Sequence, residues 1–214
     1  MELYNYFRSS ASYRVRIALA LKGLDYEYKP VHLARNEQFT ESYAAVSAAR
    51  LVPILRDGEH NLTQSLAIIE YLAEKFPQAR LWPEDRARRA HARSISAEMH
   101  SGFMALRNEC GMNLHRPVRA VELSADARAN VARIEEIWIE CRERRATSGP
   151  FLFGAFGAAD AMFAPVVHRF RTYAIPVAPQ AAAYMETMMA LPAFAEWTRA
   201  GLAETLVIEK FETV

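Results

Sequence analysis

Three hydroxyls occupy the four positions Ser9-Ser10-Ala11-Ser12, after a short apolar run from Leu3 to Tyr6 and before Val15, Ile17, Ala18, Leu19 and Leu21. That pattern reads as a strand running into an amphipathic helix, whose first backbone N–H groups lack intrahelical partners. Anions and thiolates settle at such a terminus. Ser9 or Ser10 could donate to one, or could simply cap the helix. No cysteine stands among the four positions, so a sulfur reacting there would arrive on a cofactor. Arg8 and Arg169 add planar forks suited to carboxylates, although an arginine near a helix end can also make a structural ion pair. Met99, His100, Met104 and Arg107 recur along one predicted helix.

The elements that must position these groups fall into two halves. Strand one and helix one end at Gly23, where a helix C-terminus favours a left-handed residue. Tyr26 to Val31 reads as a second strand and Asn36 to Ala45 as an irregular helix. Val52 to Arg56 and Asn61 to Thr63 flank the turn pair Asp57-Gly58, and Ser65 opens a helix carrying Leu66, Ile69, Leu72 and Phe76. The order β-α-β-α-β-β-α is that of a thioredoxin-like domain over residues 1–80. Pro77 to Pro83 reads as a linker. From 84 to 214 the pattern is helical only: about Glu84 to Cys110, Ser124 to Arg145, Ala158 to Tyr173, Gln180 to Ala190 and Ala193 to Leu202.

Composition narrows the function classes. The 26 Lys plus Arg against 25 Asp plus Glu leave a formal charge of +1, without the basic excess expected of a nucleic-acid binder. No apolar stretch is long enough to span a bilayer and Met1-Glu2 does not open a signal peptide, so the expected compartment is the cytoplasm. Cys110 and Cys141 lack metal-ligand spacing and read as packing residues; no metal is expected.

The string Tyr6–Glu27 (YFRSSASYRVRIALALKGLDYE) resembles the N-terminal signature of zeta-class glutathione transferases, the group that includes maleylacetoacetate isomerase. The likeness continues through Leu51-Val52-Pro53-Ile54-Leu55 and from Gln64-Ser65 to Tyr71. Ala11 stands where that family usually has Cys. The segment from Ala92 to Phe103 is more similar to a group of bacterial transferases of undefined substrate. The resemblance implies a glutathione transferase fold, an α/β thioredoxin-like N-terminal domain followed by an all-α domain. It also implies glutathione as cofactor and a homodimer.

Carried over residue by residue, the resemblance makes Ser9, ahead of Ser10, the donor to the glutathione sulfur. A hydrogen bond to a charged acceptor contributes about 1.5–3 kcal/mol, enough to lower a thiol pKa by about one to two units. Val52, before a cis Pro53, would pair with the cysteinyl unit. Gln64 and Ser65 would grip the γ-glutamyl end and Gln38 the glycyl end, with Ser65 also serving as a helix cap. Arg8, Arg169 and His100 would face the electrophile. Gly157-Ala158-Ala159-Asp160 and Pro165 read as folding features, a helix start and a kink.

The leading expectation is a zeta-like glutathione S-transferase adding the thiol to small electrophiles. A second reading is a glutathione-dependent maleylacetoacetate or maleylpyruvate cis-trans isomerase, ranked lower because of Ala11 and of Met104 and Arg107, where isomerases carry polar residues. A third, of another class, is a noncatalytic glutathione-binding or structural member. The sequence does not name the electrophile.

Overall fold

The computed structural model describes residues 1–143 and 149–205. Strand β1 (Glu2–Asn5) buries Leu3 and Asn5 on one face and runs straight into α1 (Ser10–Leu21), which buries Val15, Ile17, Ala18 and Leu19. Gly23, at φ +61°, ends α1: its N–H bonds to Ala20 O and that of Leu24 to Leu19 O. These two bonds satisfy the last carbonyls, as expected of a left-handed cap. β2 (Glu27–Pro30) pairs parallel with β1. Two 3-10 turns, Leu33–Arg35 and Glu37–Phe39, and α2 (Glu41–Ala44) form the irregular connection expected near Asn36 to Ala45.

β3 (Ile54–Asp57) and β4 (His60–Thr63) complete a mixed sheet of order β2-β1-β3-β4, followed by α3 (Ser65–Lys75). Two details of the hairpin differ from expectation. Asp57 pairs with His60, so the turn is Gly58-Glu59 rather than Asp57-Gly58, with Gly58 at φ +59°. The strand begins at Ile54 rather than Val52, just after the cis Val52-Pro53 bond.

The helical half comprises α4 (Arg86–Ser101), α5 (Met104–Glu109), α6 (Ala125–Glu143), α7 (Ala158–Thr172), α8 (Pro179–Met189) and α9 (Pro192–Ala203). The single helix expected from Glu84 to Cys110 is therefore two. Gly102 turns extended at ψ −167°, where a Cβ would stand 2.7 Å from Glu98 O, and the buried Phe103 then adopts φ +59°. Arg144 and Arg145, the expected end of the next helix, lie outside the described residues. α7 is buried almost throughout, runs unbroken through Pro165, and packs against α1 and α4. α9 returns to α1, where Trp197 stacks on Tyr13 with ring centroids 4.5 Å apart. Among the described residues no helix is long and apolar enough to cross a membrane.

Candidate functional site

The β1–α1 turn is tied to itself. Ser9 is the N-cap of α1: its Oγ accepts the Ser12 N–H at 3.3 Å and its N–H bonds to Tyr6 O at 3.1 Å. Ser12 Oγ in turn accepts the Tyr6 N–H at 3.4 Å. The capping role and the donor role are thus compatible in Ser9. A hydroxyl holds one proton and two lone pairs, so accepting one backbone bond orients it and leaves the proton for a ligand.

Ser10, the first residue of α1, is reached from the helical half. Arg169, on the last turn of α7, donates through Nη2 to Ser10 Oγ at 3.2 Å, through Nε to Cys110 O at 2.8 Å and through Nη1 to Pro165 O at 3.5 Å. Arg169 is 5% exposed, and burial together with Arg107 lowers its pKa to about 10. Arg8 is buried too, with Nη2 donating to Asn113 Oδ1 at 3.4 Å. Asn113 also accepts the His115 and Arg116 N–H groups, so the loop after α5 fixes the Arg8 head.

At the opposite side of the turn stands the start of α3. Gln64, not Ser65, occupies the cap position, exposed and at φ +65°, ψ 119°; it makes no side-chain cap bond. Ser65 is the first helical residue, and its buried hydroxyl accepts from Arg14 Nη1 at 3.4 Å, which replaces the capping role expected of it. Gln38 sits on the second 3-10 turn with Oε1 shielded from solvent and without a hydrogen-bond partner. His100, near the end of α4, leaves Nδ1 without a partner, and its carbonyl accepts from Arg107 Nη1 at 3.3 Å. Burial, Arg14 and Arg107 all lower the His100 pKa, so the ring is a neutral donor-acceptor at neutral pH.

The structure thus joins Ser10 to Arg169 and Ser65 to Arg14, with His100 beside Arg107. No hydrogen bond joins Gln38 to the others among the described residues. Arg14 is the residue that sequence reasoning missed. Its signal was a charge three and four residues before Ile17 and Ala18, on the apolar face of α1. Asn113 carries no such signal, since it lies in a loop. Met104 is exposed, and its Sδ accepts from Arg107 Nη1 at 3.9 Å.

Comparison with known proteins places this geometry in context. The family described as glutathione S-transferase, N-terminal domain, matches residues 1–74, and the corresponding C-terminal domain family matches residues 120–200. Glutathione S-transferase Z1 of Arabidopsis thaliana is 34% identical over 203 residues, covering 91% of this chain and 89% of that protein. Maleylacetoacetate isomerase of Mus musculus is 49% identical over 108 residues, half of each chain. The holo structure of a maleylpyruvate isomerase, a bacterial zeta-class glutathione S-transferase, superposes with a TM-score of 0.75 at 29% identity, covering 95% of this chain and 99% of that one.

Proposed function

Given that this chain belongs to the glutathione S-transferase family, as a zeta-like enzyme that uses glutathione, we propose that Ser9 activates the thiol and that residues 1–80 hold the tripeptide. Bound glutathione supplies the nucleophilic sulfur, which adds to an electrophilic carbon. The residues present suit it. Ser9 offers its remaining proton to the sulfur at the positive end of α1, favouring thiolate over thiol without a protein base. Ser10 is a second hydroxyl there, its oxygen occupied by Arg169. Val52 suits the cysteinyl backbone, Gln64 and Ser65 the γ-glutamyl end, and the unpartnered Gln38 Oε1 the glycyl amide N–H.

Residues 84–214 then present the electrophile side with Arg169 and His100, opposite Arg8. The assembly is a cytoplasmic homodimer, and light scattering at micromolar concentration should give twice the chain mass. The observation that carries the reading is Ser9 held by the Ser12 N–H with its own proton left over. Thiolate absorbance of bound glutathione, titrated against pH, tests it. Ser9→Ala should raise the thiol pKa by about one to two units while glutathione affinity changes little. Identical titration curves would exclude Ser9 as the activating group.

One observation favours the isomerase reading as a second possibility. Among the described residues no carboxylate lies within ion-pair distance of Arg107 or Arg169, so the electrophile side offers cations without counter-charges. A cis-enone diacid would supply them. In that reaction the S–C bond forms, rotation follows about the former double bond, and elimination restores both alkene and thiol. Turnover of such a diacid with no net loss of glutathione selects this reading; conjugation of halogenated aromatics alone rejects it. Binding without any turnover would leave the noncatalytic alternative.

A further inference from the structure

Arg14 is 2% exposed, in the second turn of α1, and its contacts do not resemble those of a structural arginine. Nη1 donates to Ser65 Oγ at 3.4 Å and Nη2 to Met99 O at 3.5 Å, both long, while Nε has no hydrogen-bond partner. Among the described residues no carboxylate lies within ion-pair distance of it. Elsewhere this chain pairs arginines closely. Arg93 grips Glu70 at 2.8 and 2.9 Å, and Arg133 grips Glu98 at 2.8 and 3.1 Å, both on the surface, where such pairs stabilise little. A buried guanidinium without an anion is costly. Arg107 and Arg169 worsen it: burial first, then those two charges, lower the Arg14 pKa to about 9, so it stays cationic at neutral pH. His100, whose Nδ1 also lacks a partner, faces the charges of Arg14 and Arg107.

We propose that Arg14 is the buried counter-charge of the γ-glutamyl end of the glutathione site, a positioning residue that acts through Ser65. The inference rests on the assignment of Ser65 to the γ-glutamyl carboxylate made above, and deepens it. By donating into Ser65 Oγ, Arg14 turns the hydroxyl proton away from itself and toward an arriving carboxylate. The carboxylate then gains the Ser65 hydrogen bond and the field of a desolvated cation, which water screens little. The Met99 carbonyl fixes the other end of the fork, so α4 sets the direction in which Ser65 is polarised. Val52, Gln38 and Ser9 hold the remainder of the tripeptide without help from Arg14.

The test uses two probes that cannot react. S-methylglutathione keeps the γ-glutamyl carboxylate, and S-methylcysteinylglycine lacks the whole γ-glutamyl unit. Affinities are measured by competition calorimetry for the wild type, Arg14→Met, Arg14→Lys, Ser65→Ala and Arg14→Met with Ser65→Ala. Arg14→Met should weaken S-methylglutathione by about tenfold to a hundredfold, leave S-methylcysteinylglycine within about twofold, and recover part of the loss as Arg14→Lys. In the Ser65→Ala background the further loss from Arg14→Met should fall below about threefold, because the route through the hydroxyl is gone. Equal loss for both probes, or full additivity with Ser65→Ala, would make Arg14 a mere strut and overturn the proposal. Should Arg14→Met fail to fold, Arg14→Lys carries the test: a loss confined to S-methylglutathione supports it and no loss overturns it. Wild-type protein that ignores S-methylglutathione overturns the Ser65 assignment itself, and this inference with it.

Discussion

Asp160 and Arg14 are both charges buried to within 2% of complete, yet the protein treats them oppositely. Asp160, in the first turn of α7, accepts the Leu152 N–H at 3.1 Å, the Gly157 N–H at 2.9 Å and the Tyr184 hydroxyl at 3.0 Å. A Cβ on Gly157 would stand 3.0 Å from Leu81 O, which accepts the Ala158 N–H at 2.7 Å, so Leu81 O and Asp160 close the helix start together. Arg14 has two long contacts and one idle nitrogen. The Asp160 network is closed and makes a folding element; at equal burial Arg14 keeps donor capacity in reserve, which the proposed carboxylate would use. The difference between structural and functional burial therefore lies in satisfaction rather than in depth.

Truncation gives the largest expected difference between the two. Asp160→Ala would strand two buried N–H groups and the Tyr184 hydroxyl, and should lower unfolding stability by about 3–5 kcal/mol. Arg14→Met instead replaces a poorly paired charge with an apolar chain of similar length, and should cost under about 1 kcal/mol. Urea denaturation of both variants, without glutathione, measures the contrast. A larger loss at Arg14 than at Asp160 would break it.

A second contrast is between Asp160 and His168, about two turns apart on α7 and shifted in opposite directions. Burial pushes Asp160 up to about 6, against the lowering effect of its four hydrogen bonds, one of them from its own backbone N–H. His168 is stacked on Phe194 at 4.1 Å, and burial with Arg171 and Arg169 pushes it down to about 3. As pH falls below the unfolded histidine value near 6.5, the unfolded chain takes up a proton that folded His168 refuses, and stability is lost until about pH 3. Over the same range folded Asp160 takes up a proton before the unfolded chain does. Its contribution is present below about pH 3.8 and lost as pH rises through 6. The two oppose each other. Between pH 6.5 and 5, His168→Leu should gain about 2 kcal/mol relative to wild type, at about 1.36 kcal/mol per unit. Parallel stability curves for the two proteins across that interval would show that His168 does not titrate as its burial requires.

Legibility in the sequence followed the range of each interaction. The β1–α1 turn and the entry to α3 at Gln64-Ser65 are local strings, and each appears where its string placed it. The contacts that give them chemistry are not local: Arg14 with Met99, Arg8 with Asn113 and Ser10 with Arg169 span 85, 105 and 159 positions. No window around either partner contains the other. The break between α4 and α5 escaped for a different reason. Apolar spacing continues through Phe103 and Leu106, while the buried Phe103 takes a left-handed backbone that its residue type disfavours. Ser65 was expected as a cap because serine before a helix usually is one; Arg14 occupies its oxygen instead.

The smallest predicted effect sharpens the comparison on the backbone. Gln64 is an exposed, non-glycine residue at φ +65° and ψ 119°, a region that side chains rarely adopt, at the entry to α3 beside Ser65. Such a conformation costs about 1–3 kcal/mol and persists where function requires it. Gln64→Gly would relieve that strain but lose about 0.5–1 kcal/mol to the greater freedom of the unfolded chain. The net expectation is a gain of about 1 kcal/mol in stability, accompanied by weaker binding of S-methylglutathione because the amide is gone. At the α7 entry, where Gly157 already fits the space, no comparable gain is available. Urea unfolding and calorimetry on the one variant measure both halves. If Gln64→Gly is less stable than wild type, the side chain supports α3 and the strain is not held for the ligand.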